Sequence, residues 1–170
     1  MGHDAVEIDF VMPWVDGSDP AWREEFLKYR ALQAPQGEPA CDTGTAAGAV
    51  DASEERYRDW DTLRYWFRGV ERFAPWVNRI HFITWGHLPA WLDTAHPKLH
   101  VVRHADYIPS PYLPTFNSCP IELNMHRIEG LAEHFVYFND DTFLCRPVGP
   151  ERFFLNGLPR DAARLAVIPA

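Results

Sequence analysis

The chain has 170 residues, of which 46% are hydrophobic and 14% aromatic, enough apolar material for one packed domain. Its formal net charge of −8 and its lack of a basic run argue against a nucleic-acid-binding protein. The three cysteines are widely spaced and odd in number, which excludes a zinc knuckle or a disulfide framework, so we expect reduced thiols in a cytoplasmic protein.

The N-terminal part predicts a strand, a turn and a helix. IDFVMPWV, residues 8–15, has the apolar, β-branched character of a buried strand, and the DGSDP that follows is dense in turn residues. Asp19 is suited to the N-cap of a helix and Pro20 to its first position. Apolar residues then recur on one helical face to about Leu32, so we predict a strand–turn–helix unit.

A second patterned segment follows a stretch of different composition. Residues 34–55 carry almost no large apolar side chain, which predicts a flexible surface insertion. An amphipathic helix is predicted over 62–73, with Asp61 as its cap and Pro75 just beyond its end. The apolar run NRIHFITW at 78–85 predicts the next strand.

The remaining predicted elements are a strand, a proline-rich loop, a helix and a last strand. LHVVRH predicts a strand at 99–104, and residues 108–120 form the loop. We expect a helix from about Pro120 to His134 and a strand at 135–139. Strands alternating with amphipathic helices indicate an α/β fold with a mostly parallel sheet flanked by helices.

Two of the predicted strands end in acidic turns. In open α/β sheets ligands bind beyond the carboxyl ends of the strands, so Asp16, Asp19, Asp140 and Asp141 are expected near one another. The adjacent carboxylates of YFNDDTFL are tolerable when a divalent cation neutralises them, and Mg²⁺ favours one or two carboxylates together with ligand phosphates. The alternative is that these aspartates cap helices and shape turns, which is the commoner role of a single Asp.

Other polar residues admit both a binding and a structural interpretation. Arg64 and Arg68 share a helix face and could clamp phosphate, or could form ion pairs on a solvated surface. Asp61 could equally be a site residue or the helix cap. Asn117 and Ser118 precede a predicted helix, where free N–H groups attract an anion or a sugar hydroxyl, although both side chains could instead cap that helix.

Common catalytic motifs do not occur in the sequence. It contains no GxGxxG fingerprint, GxxxxGK(S/T) loop, GxSxG elbow or HExxH pair, which removes the usual dehydrogenase, P-loop, serine-hydrolase and zincin interpretations. His126 lies on the predicted helix after the proline-rich loop, and a lone histidine is more often structural than catalytic.

The order of several motifs resembles one known family. IDFVMPWVDGSDP, residues 8–20, resembles the first conserved region of the Stealth-type hexose-1-phosphate transferases, and residues 56–155 resemble the second. WVDGSDP, APWVNRI, LPTFNS and YFNDD occur in the order expected of that family. It includes bacterial capsular polysaccharide phosphotransferases and the eukaryotic N-acetylglucosamine-1-phosphotransferase.

The resemblance implies a Rossmann-like core similar to type-A glycosyltransferases, with Mg²⁺ or Mn²⁺ as cofactor. It implies transfer of sugar-1-phosphate from a UDP-sugar donor, such as UDP-N-acetylglucosamine, to a hydroxyl of a polysaccharide or glycan acceptor, with release of UMP. The expected setting is capsule or cell-surface polysaccharide synthesis by a cytoplasmic protein, compatible with peripheral association with the inner face of the membrane.

The resemblance also assigns roles to residues. Asp9, His126, Asp140 and Asp141 would be catalytic, with Asp140 and Asp141 also binding the metal. The residues expected to bind substrate are Trp14, Val15, Asp16, Gly17, Asp19, Asp61, Arg64, Asn117, Ser118, Arg127 and Asn139.

Two alternatives to this function remain open. The family's third and fourth conserved regions, which carry a catalytic histidine, are not found in the sequence, so Asp9 or His126 would have to serve as general base. The first alternative is a metal-dependent glycosyltransferase that transfers the sugar alone. The second is a truncated, non-catalytic domain that binds a nucleotide sugar.

Overall fold

A four-stranded parallel sheet forms the centre of the molecule. The structure is a computed structural model that describes residues 6–33 and 57–161, so the predicted insertion at 34–55 lies outside the described residues. The strand order is β3-β2-β1-β4. The strands are β1 (Ile8–Pro13), β2 (Ile80–Thr84), β3 (Leu99–Arg103) and β4 (His134–Tyr137). This confirms the predicted α/β fold with a mostly parallel sheet.

The central position of β1 follows from its composition. Its backbone pairs with β2 on one side, where Phe10 is opposite Ile80, and with β4 on the other, where Phe10 is opposite Val136. A strand with neighbours on both sides and layers on both faces is mostly apolar, and in β1 only Asp9 departs from this pattern. The parallel pairing brings the turns that follow β1 and β4 to the same edge of the sheet.

Within residues 6–33 and 57–161, four helices flank the sheet, together with short 3₁₀ turns. They are α1 (Pro20–Gln33), α2 (Leu63–Phe73), α3 (His104–Tyr107) and α4 (Ser118–Leu123). The predicted start of α1 is confirmed, because Asp19 Oδ1 accepts a hydrogen bond from the Trp22 backbone N–H at 2.8 Å.

The predicted cap of α2 is wrong. The N-cap residue is Thr62, and Asp61 precedes it with a left-handed φ of +53°. Asp61 therefore turns the chain into the helix rather than capping it, and the Thr62 side chain makes no capping hydrogen bond. The predicted end is confirmed, since α2 ends at Phe73, before Ala74 and Pro75.

The side chains of β1 divide between two hydrophobic layers. Phe10 and Met12 point to the face covered by α2, where they join Trp66 and Val70 in one buried cluster. Val11 points to the opposite face and packs in a second buried cluster. That cluster also contains Ile83, Val102, Tyr107, Ile108, Met125 and Ile128. Both faces of the sheet are therefore covered, as expected of a parallel sheet.

The helix predicted from Pro120 to His134 is mostly wrong. The helix α4 ends at Leu123, and the Asn124 side chain donates to the Pro120 carbonyl at 2.8 Å. A 3₁₀ turn over 125–127 and Gly130, with φ of +73°, then reverse the chain toward the amino end of β4. The apolar spacing predicted buried positions correctly at Met125, but it could not distinguish one long helix from two short turns.

A buried polar network lies at the amino end of the sheet. The Asp9 side chain is 0% exposed, and it accepts hydrogen bonds from Asn78 Nδ2, the Ala132 backbone N–H and His81 Nε2 at 2.8, 2.8 and 2.9 Å. His81 Nδ1 lies 3.0 Å from Nδ1 of His100 on β3. Burial lowers the pKa of His81, so the imidazole is neutral and Nδ1 accepts from His100.

The last described segment is a small hairpin. Its antiparallel strands β5 (Phe154–Leu155) and β6 (Leu158–Pro159) are joined by Asn156 and Gly157, which both have positive φ, at 54° and 77°. This is the geometry and the sequence preference of a tight two-residue hairpin turn. Within residues 6–33 and 57–161, no helix has the length and apolar character needed to cross a membrane.

Candidate active site at the carboxyl edge of the sheet

A cavity of about 170 Å³ opens at the carboxyl ends of β1, β3 and β4, and we call it the strand-end cavity. It is lined by Pro13, Trp14, Val15, Trp22, Tyr57, His104, Thr115, Phe116, Ser118, Ile121, Tyr137, Asn139 and Asp140. Its residues come from three strand ends, from α1, from α4 and the loop before it, and from Tyr57 ahead of α2. This is the edge at which the acidic turns predicted a ligand site.

An aromatic cluster holds α1 and the loop before α4 together beside this cavity. It consists of Trp22, Phe26, Tyr29, Tyr57 and Phe116, with ring centroids 5.0–5.6 Å apart. The Tyr57 hydroxyl donates to the Phe116 carbonyl at 3.1 Å, and the Tyr57 carbonyl accepts from the Gly17 N–H at 2.8 Å. Tyr57 therefore connects the loop before α4 to the turn after β1.

Gly17 is required by this contact. A Cβ atom on Gly17 would lie 2.6 Å from the Tyr57 carbonyl oxygen and 2.7 Å from the Tyr57 Cβ. The crowding atoms belong to the backbone and to the first side-chain carbon, so they cannot rotate away. Glycine is the residue that permits such a close approach of two backbones.

We predict that Gly17→Ala lowers the free energy of unfolding by about 1–3 kcal/mol, because the added methyl group overpacks the turn. Urea unfolding followed by tryptophan fluorescence measures the change. Gly149→Ala is a matched control, since the new Cβ there meets only the flexible Glu151 carboxylate. Equal stability of the two variants would contradict the role given to the Gly17–Tyr57 contact.

An acidic cavity of about 210 Å³ adjoins the strand-end cavity and shares Trp14 and Asp140 with it. Asp59, Asp140 and Asp141 all line it. Although Asp140 is exposed as a whole residue, partial burial of its carboxyl raises its pKa, and the Asp141 and Asp59 charges raise it further. Three carboxylates and one cation, Arg58, therefore share this cavity.

The acidic cavity satisfies the donor requirement for a divalent cation held partly by a ligand. Asp140 and Asp141 offer carboxylate oxygens, which Mg²⁺ and Mn²⁺ prefer, and their mutual repulsion would be relieved by a cation. Within 6–33 and 57–161 no group of three or more His, Cys, Asp or Glu side chains forms a metal cage. A two-carboxylate site completed by phosphate oxygens is the usual arrangement for Mg²⁺.

Two buried residues in the wall of the strand-end cavity carry nitrogens without a hydrogen-bond partner. Trp14 is 6% exposed and its Nε1 has no partner, and His104 is 9% exposed and its Nδ1 has none. Buried polar atoms are nearly always paired, so unpaired ones beside a cavity indicate that a ligand or water completes them. Burial lowers the pKa of His104 to about 4, with a smaller contribution from His87.

We predict that stability falls on acidification because of His104. An unfolded histidine binds a proton near pH 6.5, whereas folded His104 does so only near pH 4. The loss is therefore absent above pH 6.5 and amounts to about 3 kcal/mol of unfolding free energy at pH 4.

Urea unfolding of the parent and of His104→Gln across this pH range tests the prediction. His81 and His87 also have lowered pKa values, so both proteins lose stability in acid, and the difference between their curves isolates His104. Parallel curves would show that His104 does not have a lowered pKa.

The structure brings about half of the predicted site residues to this edge. Val15 and Asn139 line the strand-end cavity, and the Asn139 side chain accepts a hydrogen bond from the Tyr137 hydroxyl at 2.8 Å. Asp16 and Gly17 line a third cavity, of about 230 Å³, which shares Tyr57 with the strand-end cavity. The predicted residues that line the three cavities are Trp14, Val15, Asp16, Gly17, Ser118, Asn139, Asp140 and Asp141.

Of the four carboxylates expected near one another, Asp140 and Asp141 line the acidic cavity, whereas Asp16 and Asp19 do not. The Asp16 carboxylate accepts from the backbone N–H and the hydroxyl of Ser18, at 2.8 and 2.6 Å, and Asp19 caps α1. These two aspartates shape the turn, as the structural alternative proposed. The third carboxylate beside Asp140 and Asp141 is instead Asp59.

Other predicted site residues lie away from the three cavities. Asp9 is the second residue of β1, about 13 Å from the end of the strand at 3.3 Å per residue. Asn117 caps α4, with its Oδ1 accepting from the Cys119 N–H at 2.9 Å. His126 and Arg127 are exposed in a 3₁₀ turn, where His126 Nδ1 lies 3.0 Å from the Leu123 carbonyl oxygen.

Arg64 lines a different groove and forms an ion pair with Asp61. Arg64 Nη2 lies 3.2 Å from Asp61 Oδ1, and its guanidinium lies over the Trp91 ring, 5.4 Å from the centroid. Arg64 and Arg68 both line this groove, which has a volume of about 510 Å³ and runs between α2 and residues 91–99. The ion-pair interpretation of this helix face is therefore the one that the structure supports for Arg64.

Sequence reasoning missed several residues of the edge. Tyr57, Asp59 and Tyr137 line the cavities, but only tertiary contacts distinguish them from ordinary surface residues. Their position was the only indication in the sequence: Tyr57 and Asp59 lie in the segment ahead of α2, and Tyr137 is the last residue of β4. His87 and His104 follow β2 and β3 in the same way.

Two family models match the chain. Stealth protein CR1, conserved region 1, matches residues 6–32, and Stealth protein CR2, conserved region 2, matches residues 56–161. The second match alone covers more than half of the chain. It includes every residue that lines the strand-end and acidic cavities except those of β1, its turn and α1.

Several curated proteins are similar over nearly the whole chain. A capsular polysaccharide phosphotransferase of Streptococcus pneumoniae, WcwK, is 54% identical over 90% of this chain and 43% of its own length. A receptor polysaccharide phosphotransferase of Streptococcus oralis, WefC, is 46% identical over 96% of this chain and 46% of its own length. A capsular polysaccharide phosphotransferase of Streptococcus thermophilus, eps5J, is 47% identical over 90% of this chain and 60% of its own length.

The chain therefore spans 43–60% of the length of these three relatives. The matches cover both conserved regions in their expected order and the complete carboxyl edge of the sheet. On this evidence the chain belongs to the Stealth family.

Proposed function

We propose that this chain carries the nucleotide-sugar site of a sugar-1-phosphate transferase of capsule or cell-surface polysaccharide synthesis. The donor would be a UDP-sugar such as UDP-N-acetylglucosamine, and the acceptor a hydroxyl group of a glycan. The relatives' names describe polysaccharide phosphotransferases, which supports this class of reaction. The observation that carries the proposal is the pair of contiguous cavities that share Trp14 and Asp140 at the ends of neighbouring parallel strands.

In the proposed reaction the acceptor oxygen attacks the phosphorus that bears the sugar. The bond from this phosphorus to the oxygen shared with the other phosphate breaks, and UMP leaves with that oxygen. The acceptor loses its hydroxyl proton to a base, and a phosphodiester between acceptor and sugar is the product. Phosphoryl transfer of this kind depends mainly on positioning and on charge stabilisation.

The residues at the edge suit these two tasks. Asp140 and Asp141 would hold Mg²⁺ or Mn²⁺, which supplies neutralisation of the phosphate charge when bound. Trp14 and Val15 form an apolar wall, and Ser118 and Asn139 place polar groups across the strand-end cavity. Asp9 and His126 line neither cavity, so we leave both out of the proposed site.

The nature of the released nucleotide tests the proposal. Incubation with UDP-N-acetylglucosamine, Mg²⁺ and a capsular oligosaccharide should produce UMP, detected by ion-exchange chromatography. Release of UDP would instead show a metal-dependent glycosyltransferase that moves the sugar alone. Calorimetric binding of the donor without release of either nucleotide would show a non-catalytic nucleotide-sugar-binding domain.

A further inference from the structure

The turn after β1 is held by two residues from distant parts of the chain. The Gly17 N–H donates to the Tyr57 carbonyl, and the Asp16 N–H donates to His87 Nε2 at 2.8 Å, across 71 residues of sequence. Both N–H groups are consecutive along the backbone of the turn. The imidazole of His87 therefore acts on the same segment that lines the cavities of the proposed donor site.

His87 is itself fixed by the buried end of β2. Thr84 is fully buried, and its hydroxyl donates to the His87 carbonyl at 2.6 Å while accepting from the Gly86 N–H at 3.2 Å. Gly86 has a φ of +151°, which lets the chain turn back so tightly. Trp14 contacts the imidazole edge-to-face, with ring centroids 5.1 Å apart.

The hydrogen bond to Asp16 determines the protonation of His87. A backbone N–H can only donate, so Nε2 must present a lone pair and the ring proton must reside on Nδ1. The Nδ1 atom is buried and has no hydrogen-bond partner in the protein. A protonated ring would direct a second N–H at the Asp16 N–H, and the contact would become repulsive.

Burial keeps the His87 ring neutral against the charges around it. The titratable groups that face it are Asp16, Asp19 and His104. Burial lowers the pKa of His87, and the charges of Asp19 and Asp16 oppose part of that effect. His104 is neutral down to about pH 4, so it places no positive charge beside His87 at neutral pH.

We propose that His87 is a positioning residue that holds the Val15–Asp19 turn in its donor-binding geometry as a neutral Nδ1–H imidazole. Its effect on the donor rests on the proposed function, whereas the imidazole–amide contact does not. Burial lowers the pKa of His87, so the ring is protonated only in acid, and protonation then breaks the contact with the Asp16 N–H. Donor affinity should then decrease before the fold is lost.

Nitrogen-15 NMR of the whole chain tests the contact without any donor. At pH 7.5 the His87 ring should be the neutral Nδ1–H tautomer, and the Asp16 amide shift should follow the His87 titration. A ring that is charged, or that carries its proton on Nε2, would overturn the proposal. This measurement needs no variant and does not depend on enzymatic activity.

Two variants test the consequence. His87→Phe keeps a flat ring but removes the acceptor, so Asp16 amide exchange should accelerate and the donor Kd should rise about three- to tenfold. His87→Gln can accept through its side-chain oxygen, so its Kd should stay within about twofold of the parent.

The two variants should also differ in their response to pH. Protonation of Asp140 should weaken donor binding in both proteins in acid, and the parent should lose more affinity than His87→Phe, because only the parent also loses the His87 contact. Unchanged Asp16 amide exchange in a folded His87→Phe protein would overturn the proposal. A parent chain that binds no UDP-sugar would overturn the proposed function instead, and the NMR experiment would still decide the role of His87.

Discussion

Asp140→Asn and Asp141→Asn should each reduce Mg²⁺-dependent UMP release by roughly 100- to 1000-fold, the effect of removing one charged stabilising group from a phosphoryl-transfer site. Both carboxylates line the acidic cavity at the end of β4, and Asp141 already raises the pKa of Asp140. Each Asp→Asn substitution removes one carboxylate from the proposed cation site while keeping the shape of the side chain.

Donor binding measured by calorimetry with and without Mg²⁺ separates the possible outcomes. Glu71→Gln is a suitable control, because it removes one negative charge from the α2 groove and leaves the carboxyl edge untouched. If both aspartate variants bind metal and donor like the parent, the Asp140–Asp141 pair only shapes the turn after β4. The metal site proposed here would then be wrong.

Asp9→Ala should lower the free energy of unfolding by about 3–5 kcal/mol, the cost of removing one partner from a buried charge network. The substitution leaves three donors without their acceptor: the buried His81 ring, the Asn78 amide and the backbone N–H of Ala132. Asp9→Asn should be nearly as destabilising, because its amide group cannot accept from three donors. Urea unfolding at pH 7.5 measures both variants.

The same variants separate structural and catalytic roles of Asp9. Glu7→Ala removes a neighbouring exposed carboxylate and should be nearly neutral. We expect the folded fraction of Asp9→Asn to bind donor as the parent does, since Asp9 lies at the opposite end of β1 from the cavities. If Asp9→Asn had normal stability but no longer bound the donor, Asp9 would be an active-site residue, as the family resemblance implied.

The fold class could be read from the sequence because the sheet is buried on both faces. Such strands are mostly apolar runs, which a sequence reveals directly. All four observed strands overlap their predicted positions; for example, β2 spans Ile80–Thr84 and was predicted over 78–85. The helix over 120–134 could not be predicted correctly. The spacing of apolar residues in this segment fits both one long helix and a chain that reverses at Gly130. The reversal becomes visible only in the folded protein, where the chain has to reach the start of β4 at His134.

The sequence was sufficient to locate the candidate site on the sheet, but not to identify all of the residues that line it. Because the carboxyl ends of parallel strands share one edge, the sequence was sufficient to bring Trp14 and Asp140 together. It could not show that Asp9 lies at the other end of the sheet and binds Asn78, His81 and Ala132, because the sequence does not indicate which distant groups a strand residue contacts. It also could not show that Asp59, rather than Asp16, accompanies the Asp140–Asp141 pair.

The sequence by itself determined the α/β class, the edge of the sheet that carries the site and the resemblance to the Stealth family, because these depend on local pattern and motif order. The tertiary structure decided which polar residues are buried supports and which face the cavities. Long-range contacts such as His87 with Asp16 and Tyr57 with Gly17 join segments about 40 or more residues apart. No local pattern encodes such pairs, since they arise only when the sheet brings the ends of different strands together.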